Sequence, residues 1–279
     1  MADRQRAETD SILSGAETID LQEEGSHGVL LLHGFGDTPQ TLSLLARRLA
    51  KRGFGVLAPL LPGHGRDMAA FRRGRADEWV DAARHSLVQM RERYATVSIV
   101  GLSMGAALAV LVATERTTIA SLVLIAPYLR MPVQIRLAAA VHWLWDPIVG
   151  EINSRNPRSI RDPIEREKNL AYGTVTGRTL FELAKVVRRS RKALPRVTAP
   201  TLVILSQEDP RVPPDVGEFA LRTLGARDKK MVWTEGAGHI ITVDYGRERV
   251  FSEVEKWLRL HDSSSATAAE DDRAAVERP

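Results

Sequence analysis

Residues 96–113 read TVSIVGLSMGAALAVLVA, and no other stretch limits the fold as tightly. The first half is apolar and β-branched, the second small and helix-favouring. A serine stands between Gly101 and Gly105, where one half gives way to the other. An apolar run without alternation suits a strand buried on both faces, as in a parallel sheet. A strand passing directly into a helix is half of a βαβ unit.

The same pattern recurs along the chain. AETIDL (16–21) reads as an edge strand and GVLLLHG (28–34) as a buried one. Residues 37–53 read as a helix, with Thr38 as cap, Pro39 at the first position and Gly53 past the end. FGVLAP (54–59) is the next strand. Residues 77–94 form a helix with Trp79, Val80, Ala83, Leu87, Met90 and Tyr94 near one face. Strand 97–101, the helix after Ser103 and strand 119–127 follow. The alternation then stops over residues 127–199, which hold two helices around 133–145 and 176–192. It resumes with strand 201–206, helix 213–225, strand 229–235 and helix 247–260. This order predicts an α/β fold: a mostly parallel sheet, helices on both faces and a helical cap inserted after one strand. The expected organisation is a flexible N-terminus (1–15), one domain (16–261) with the cap at about 127–199, and a disordered tail (262–279) poor in apolar residues.

Composition removes whole classes of chemistry. The chain has 279 residues, 44% hydrophobic, and no cysteine, which excludes disulfides, thiolate metal sites and a cysteine nucleophile. No apolar run reaches the ~20 residues that span a bilayer. No apolar segment follows the charges of MADRQRAETDSIL, so no secretory signal is read and a cytoplasmic location is expected. No G-x-G-x-x-G follows a strand and no H-x-x-x-H pair occurs, so neither a dinucleotide nor a metal is expected. Residues 127–196 carry 14 Lys and Arg against 6 Asp and Glu, densest in RRSRKALPR (188–196). Without interleaved aromatics this reads as a solvated helix face, with weak contact to a membrane surface as the sharper alternative and nucleic acid not expected.

In an open α/β sheet, sites lie beyond the carboxyl ends of the strands. Ser103 is delivered there by SIVG, on a turn in which a Cβ at 101 or 105 would collide. The following helix turns its N-terminal N–H groups to the same spot. This is the G-x-S-x-G nucleophile elbow. A serine hydroxyl needs a base, and His239 in WTEGAGHIITVD lies on the loop after the last strand. The base needs an acid to fix its tautomer. Asp209 follows the penultimate strand; Glu208 is its neighbouring alternative, and Asp244 follows His239 too closely. His33 and His64 read as loop-shaping residues. Fixed donors for an oxyanion would be the backbone N–H groups of Met104 and Phe35, with Gly36 behind Phe35.

HGFGDTP, LPGHGR, GLSMG, EDPRVP and GAGHIITVD together resemble the α/β-hydrolase superfamily, within it the bacterial carboxylesterase and monoacylglycerol lipase group. The resemblance covers roughly residues 25–260, less most of the cap. It implies Ser103 as nucleophile, Asp209 as acid and His239 as base, with Phe35 and Met104 as the oxyanion hole and no cofactor. Thr242 and Asp244 also match that group; Ala106 departs from it, where a second glycine often stands. The implied substrate is a small-molecule carboxylic ester, and an apolar lid favours medium acyl chains. A thioesterase, a C–C bond hydrolase or a ligand-binding sensor of this fold is the alternative. Ile135, Leu137 and Trp143 of the cap, with Leu144, are the expected lining of an apolar acyl pocket, or else simply bury the cap.

Overall fold

The computed structural model describes residues 11–115 and 118–262. The expected tail past Asp262, and residues 1–10 of the expected flexible N-terminus, lie outside the described residues. Residues 11–15 form a turn whose Leu13 N–H donates to the Gly65 carbonyl at 2.8 Å.

The chain runs β1 (Ile19–Leu21), β2 (His27–Leu32), α1 (Ser43–Ala50), β3 (Gly55–Ala58), α2 (Met68–Arg73), α3 (Ala76–Arg93), β4 (Thr96–Leu102), α4 (Met104–Ala113) and β5 (Leu122–Ile125). The inserted stretch holds α5 (Val133–Ala140), α6 (His142–Val149), β6 (Ile152–Asn153), α7 (Pro163–Lys168), β7 (Thr174–Val175) and α8 (Gly177–Ala193). The chain then returns to the sheet with β8 (Thr201–Ser206), α9 (Val216–Thr223), β9 (Lys229–Thr234) and α10 (Arg247–Leu260). The seven-stranded sheet has the order β1-β3-β2-β4-β5-β8-β9. It is parallel except for β1, which pairs antiparallel with β3 at the edge.

Successive strand residues face opposite sides of a sheet, and this explains the unbroken apolar runs. Leu30 and Leu32 of β2 pack in one core with α3, α4, α8 and α9, whereas Val29 and Leu31 pack in the other with α1 and α10. Both faces are covered, so neither set can be polar.

The structure departs from the sequence reading at four places. The segment read as one helix over 37–53 starts as a 3-10 turn over Pro39–Leu42, capped by Thr38, and is α-helical only from Ser43 to Ala50. There the side chains of Asp37, Thr38 and Thr41 bond the local backbone and compete with the α-helical ladder. The short helix α2 has no counterpart in the sequence reading; Asp67 caps it by accepting the Ala70 N–H at 2.6 Å. The first cap helix is broken at Val141 (φ −106°, ψ 22°) into α5 and α6. Helix α8, read as part of the cap, buries Leu183, Val186 and Val187 in the core on the α4 side of the sheet.

Candidate active site

The chain passes from β4 to α4 on a single residue, Ser103, at φ 57° and ψ −114°. Its N–H donates to the Ile125 carbonyl (2.9 Å), and its carbonyl accepts the N–H of Ala106 (3.1 Å) and of Tyr128 (3.2 Å). The flanking glycines permit the close approach. A Cβ on Gly105 would lie 2.0 Å from the Leu32 carbonyl oxygen, and one on Gly101 would lie 2.4 Å from that of Gly105. The end of β5 is equally tight: Ala126 sits at φ 43°, which a non-glycine residue rarely adopts and which no sequence signal announced.

Ser103 and His239 are brought together from positions 136 residues apart in the sequence. Ser103 Oγ is 2.8 Å from His239 Nε2, and His239 Nδ1 is 2.8 Å from Asp209 Oδ2. The network assigns the proton to Nδ1, which donates to the carboxylate and leaves Nε2 to accept from the hydroxyl. Asp209 Oδ1 accepts the N–H groups of Arg211 (2.7 Å) and Val212 (3.0 Å). Burial pushes the Asp209 carboxyl up, but the charge and hydrogen bond of His239 and these two N–H groups outweigh it and hold it below the ordinary value. Its neighbour Glu208 does not reach the histidine ring. It accepts the Ser206 hydroxyl (3.2 Å) and the Gly236 N–H (3.1 Å) instead.

Asp244 is fully buried and has a different task. It accepts the N–H groups of Gly238 (2.7 Å), Arg161 (2.8 Å), Asp162 (2.9 Å) and Tyr245 (2.9 Å). It therefore ties the histidine loop to the inserted segment. Thr242 donates to the Thr41 carbonyl at 2.6 Å and ties the same loop to the turn after β2. His33 donates from Nδ1 to the Gly34 carbonyl (2.9 Å) and accepts the Leu61 N–H (3.1 Å), so it joins two loops. Burial drives its pKa well below the ordinary value and that of His64 down to about 4. Both rings are neutral.

The loop after β2 lies against the serine: a Cβ on Gly34 would be 3.5 Å from Ser103 Cβ. The Phe35 ring packs on Phe71 (5.0 Å between centroids) and Trp79 (6.0 Å), which anchors the residue at the cavity wall. Met104 is buried at the first position of α4. Ser103 and His239 open onto a cavity of about 1100 Å³. Ile135 lines it, with Ala138, Trp145 and Leu183. Leu137 and Trp143 do not; they are 61% and 66% exposed, as is Leu144 at 54%. Successive helical residues turn by ~100°, so Trp143 and Trp145 fall on opposite faces of α6, and the sequence pattern does not tell which faces inward.

A mostly parallel sheet with helices on both faces, and a serine, a histidine and an acid gathered at its carboxyl edge, is the α/β-hydrolase fold. The chain belongs to the family described as serine aminopeptidase, S33 (Hydrolase_4), whose model matches residues 24–245. It is similar to the thermostable monoacylglycerol lipase of Bacillus sp. (strain H-257), 29% identical over 252 residues, 90% of this chain and 97% of that one. The carboxylesterase of Bacillus subtilis (strain 168) is 22% identical over 239 residues, 85% of this chain and 94% of that one. A solved structure from the work on the metagenome-derived lipolytic enzymes LipS and LipT matches with a TM-score of 0.82 at 30% identity, over 90% of this chain and 100% of that one. The resemblance read from the motifs therefore holds: the similarity runs to lipases and esterases. No helix among the described residues is long and apolar enough to cross a membrane. No group of three or more His, Asp or Glu among them could hold a metal ion.

Proposed function

We propose that the protein is a serine hydrolase that cleaves carboxylic esters of the monoacylglycerol lipase or carboxylesterase kind. The observation that carries the reading is the hydrogen-bond relay from Ser103 through His239 to Asp209, opening on a cavity walled in part by apolar side chains. Ser103 Oγ attacks the ester carbonyl while His239 Nε2 takes its proton. Asp209 stabilises the imidazolium that results. The backbone N–H groups of Phe35 and Met104 hold the oxyanion. His239 then gives the proton to the leaving alcohol, and water repeats the cycle on the acyl-enzyme to release the acid.

Ile135, Ala138, Trp145 and Leu183 suit an acyl chain. The charged groups lining the cavity argue against a peptide with a free amine. Arg155, Arg166 and Arg211 outnumber Asp37 and Glu167, where an ammonium group would need carboxylates.

Contact with a lipid surface fits the cap better than it fits the basic run at 188–196. In that run Arg189 pairs with Asp77, Arg191 lies over the Phe219 ring and Arg196 donates to the Thr114 carbonyl. On the cap, Leu137, Trp143, Leu144 and Ile148 are exposed, and Trp143, Asp146 and Arg178 of the cap line a depression with Arg72, Arg73 and Arg75 from α2 and the loop after it. Apolar side chains beside clustered arginines complement an anionic lipid surface.

The test is hydrolysis of p-nitrophenyl esters from two to sixteen carbons, with Ser103→Ala beside the wild type. Turnover by the wild type and its loss, by about 10³-fold or more, in the variant is expected. Equal inertness of both across the series would sink the ester reading and favour a thioester substrate, C–C bond cleavage or a sensor.

A further inference from the structure

Asp37 lies in the turn that leads from β2 into the Pro39–Leu42 segment, and none of the steps above uses it. It is 4% exposed and lines the same cavity as Ser103 and His239. A carboxylate withdrawn from water costs free energy unless its surroundings repay it. Asp37 Oδ1 accepts the Thr38 N–H at 2.8 Å, and Oδ2 accepts the Thr41 hydroxyl at 2.8 Å. Its own N–H returns to the Gly34 carbonyl at 3.4 Å and closes the turn around Phe35 and Gly36. The Thr41 carbonyl accepts the Thr242 hydroxyl, three residues past His239. One side chain thus stands at the junction of the loop that carries Phe35 and the loop that carries His239.

Capping the 3-10 turn does not account for the charge, because asparagine, serine or threonine would accept the same N–H. Among the described residues no Lys or Arg forms an ion pair with Asp37: Arg155, Arg166 and Arg211 on the cavity wall make none with it, and Glu167 there carries the same charge. His33 from the end of β2 is neutral. Burial raises that carboxyl to about 6, against the pull of Thr38, Thr41 and His239.

We propose that Asp37 is a positioning residue of the hydrolytic site: its carboxylate clamps the turn that offers the Phe35 N–H to the Thr41 segment on which the His239 loop is tied. The proposal rests on the reading of Ser103 as nucleophile. One consequence differs from that of a structural cap. The clamp acts on the transition state, so its loss lowers kcat and leaves KM alone.

The experiment compares wild type, Asp37→Asn, which keeps the shape without the charge, and Thr41→Val, which removes one donor and no charge. The readouts are the rate at which a fluorophosphonate labels Ser103 from about pH 5 to 9, kcat and KM on a p-nitrophenyl ester, and a melting curve. Asp37→Asn is expected to label and turn over about tenfold to a hundredfold slower, with KM unchanged. Thr41→Val, which removes the donor to Oδ2, moves kcat in the same direction by less. Labelling by Asp37→Asn within about twofold of wild type, or a loss that appears in KM and not in kcat, overturns the proposal. Should Asn not be accepted, Asp37→Ser keeps an acceptor for the Thr38 N–H and carries the same comparison. A wild type that is labelled but cleaves no ester refutes the ester reading alone, and Asp37 is then judged on labelling rates. A wild type that is not labelled overturns both.

Discussion

At the scale of one residue, the site holds conformations and charges that folding alone would disfavour. Ser103 keeps a positive φ that costs about 1–3 kcal/mol for a residue with a Cβ. Its N–H and carbonyl are both held by neighbouring chain, which leaves it no relaxed alternative. Asp37 is the matching case for charge. Its carboxyl titrates near 3.8 in the unfolded chain and at about 6 in the fold. The folded state therefore binds the proton more tightly, and stability is lost as pH rises through that window, by up to about 3 kcal/mol. Asp37→Asn lacks this dependence. The melting temperature of the variant should gain on that of wild type between about pH 4 and 7, with thermal denaturation at both pH values as the measurement. His33 and His64, whose pKa values burial lowers, act in the opposite direction and cost stability as pH falls below 6.5. Both proteins share them, so they cancel in the difference. A difference that does not change with pH would contradict the assignment.

At the scale of elements, the strands and most helices were legible because both faces of the sheet are covered. GVLLLHG and TVSIVG could be read as buried strands since no position in them tolerates a polar side chain without a partner. The boundaries failed where side chains bond their own backbone, as at Asp37, Thr38 and Thr41. Asp244 was singled out by resemblance, but its use was not legible, because its partners Arg161 and Asp162 lie some eighty residues earlier in the chain. Asp244→Ala leaves four N–H groups without their acceptor at a buried site. A loss of about 3 kcal/mol or more is expected, with the activity of the histidine loop reduced beyond the loss of folded protein. Chemical denaturation combined with active-site titration would check it. A variant as stable and as active as wild type would show that the stitch is dispensable.

At the scale of the molecule, the inserted stretch divides in two. Helix α8 belongs to the packed layer over the sheet, while α5 and α6 roof the cavity and leave apolar side chains outside. Its 17 residues span about 25 Å, so the basic end of α8 lies far from the roof, near which its N-terminus starts. If the cap meets a lipid surface, Trp143→Ser with Ile148→Ser should weaken co-sedimentation with anionic vesicles about tenfold and leave turnover of a soluble short-chain ester unchanged. Neutralising Arg188 and Arg191 should do little. The reverse ranking of the two variants would return the contact to the basic run.

The sequence by itself determined the α/β alternation, the elbow at Ser103 and the placing of His239 and Asp209 after their strands. Strand periodicity and turn chemistry are local properties, written in consecutive residues. Only the tertiary structure decided which cap residues face the cavity, that α8 leaves the cap for the core, and that Asp37 and Asp244 knit loops from distant parts of the chain. Those outcomes depend on rotation about a helix axis and on hydrogen bonds between segments far apart in sequence. A one-dimensional pattern carries no term for either.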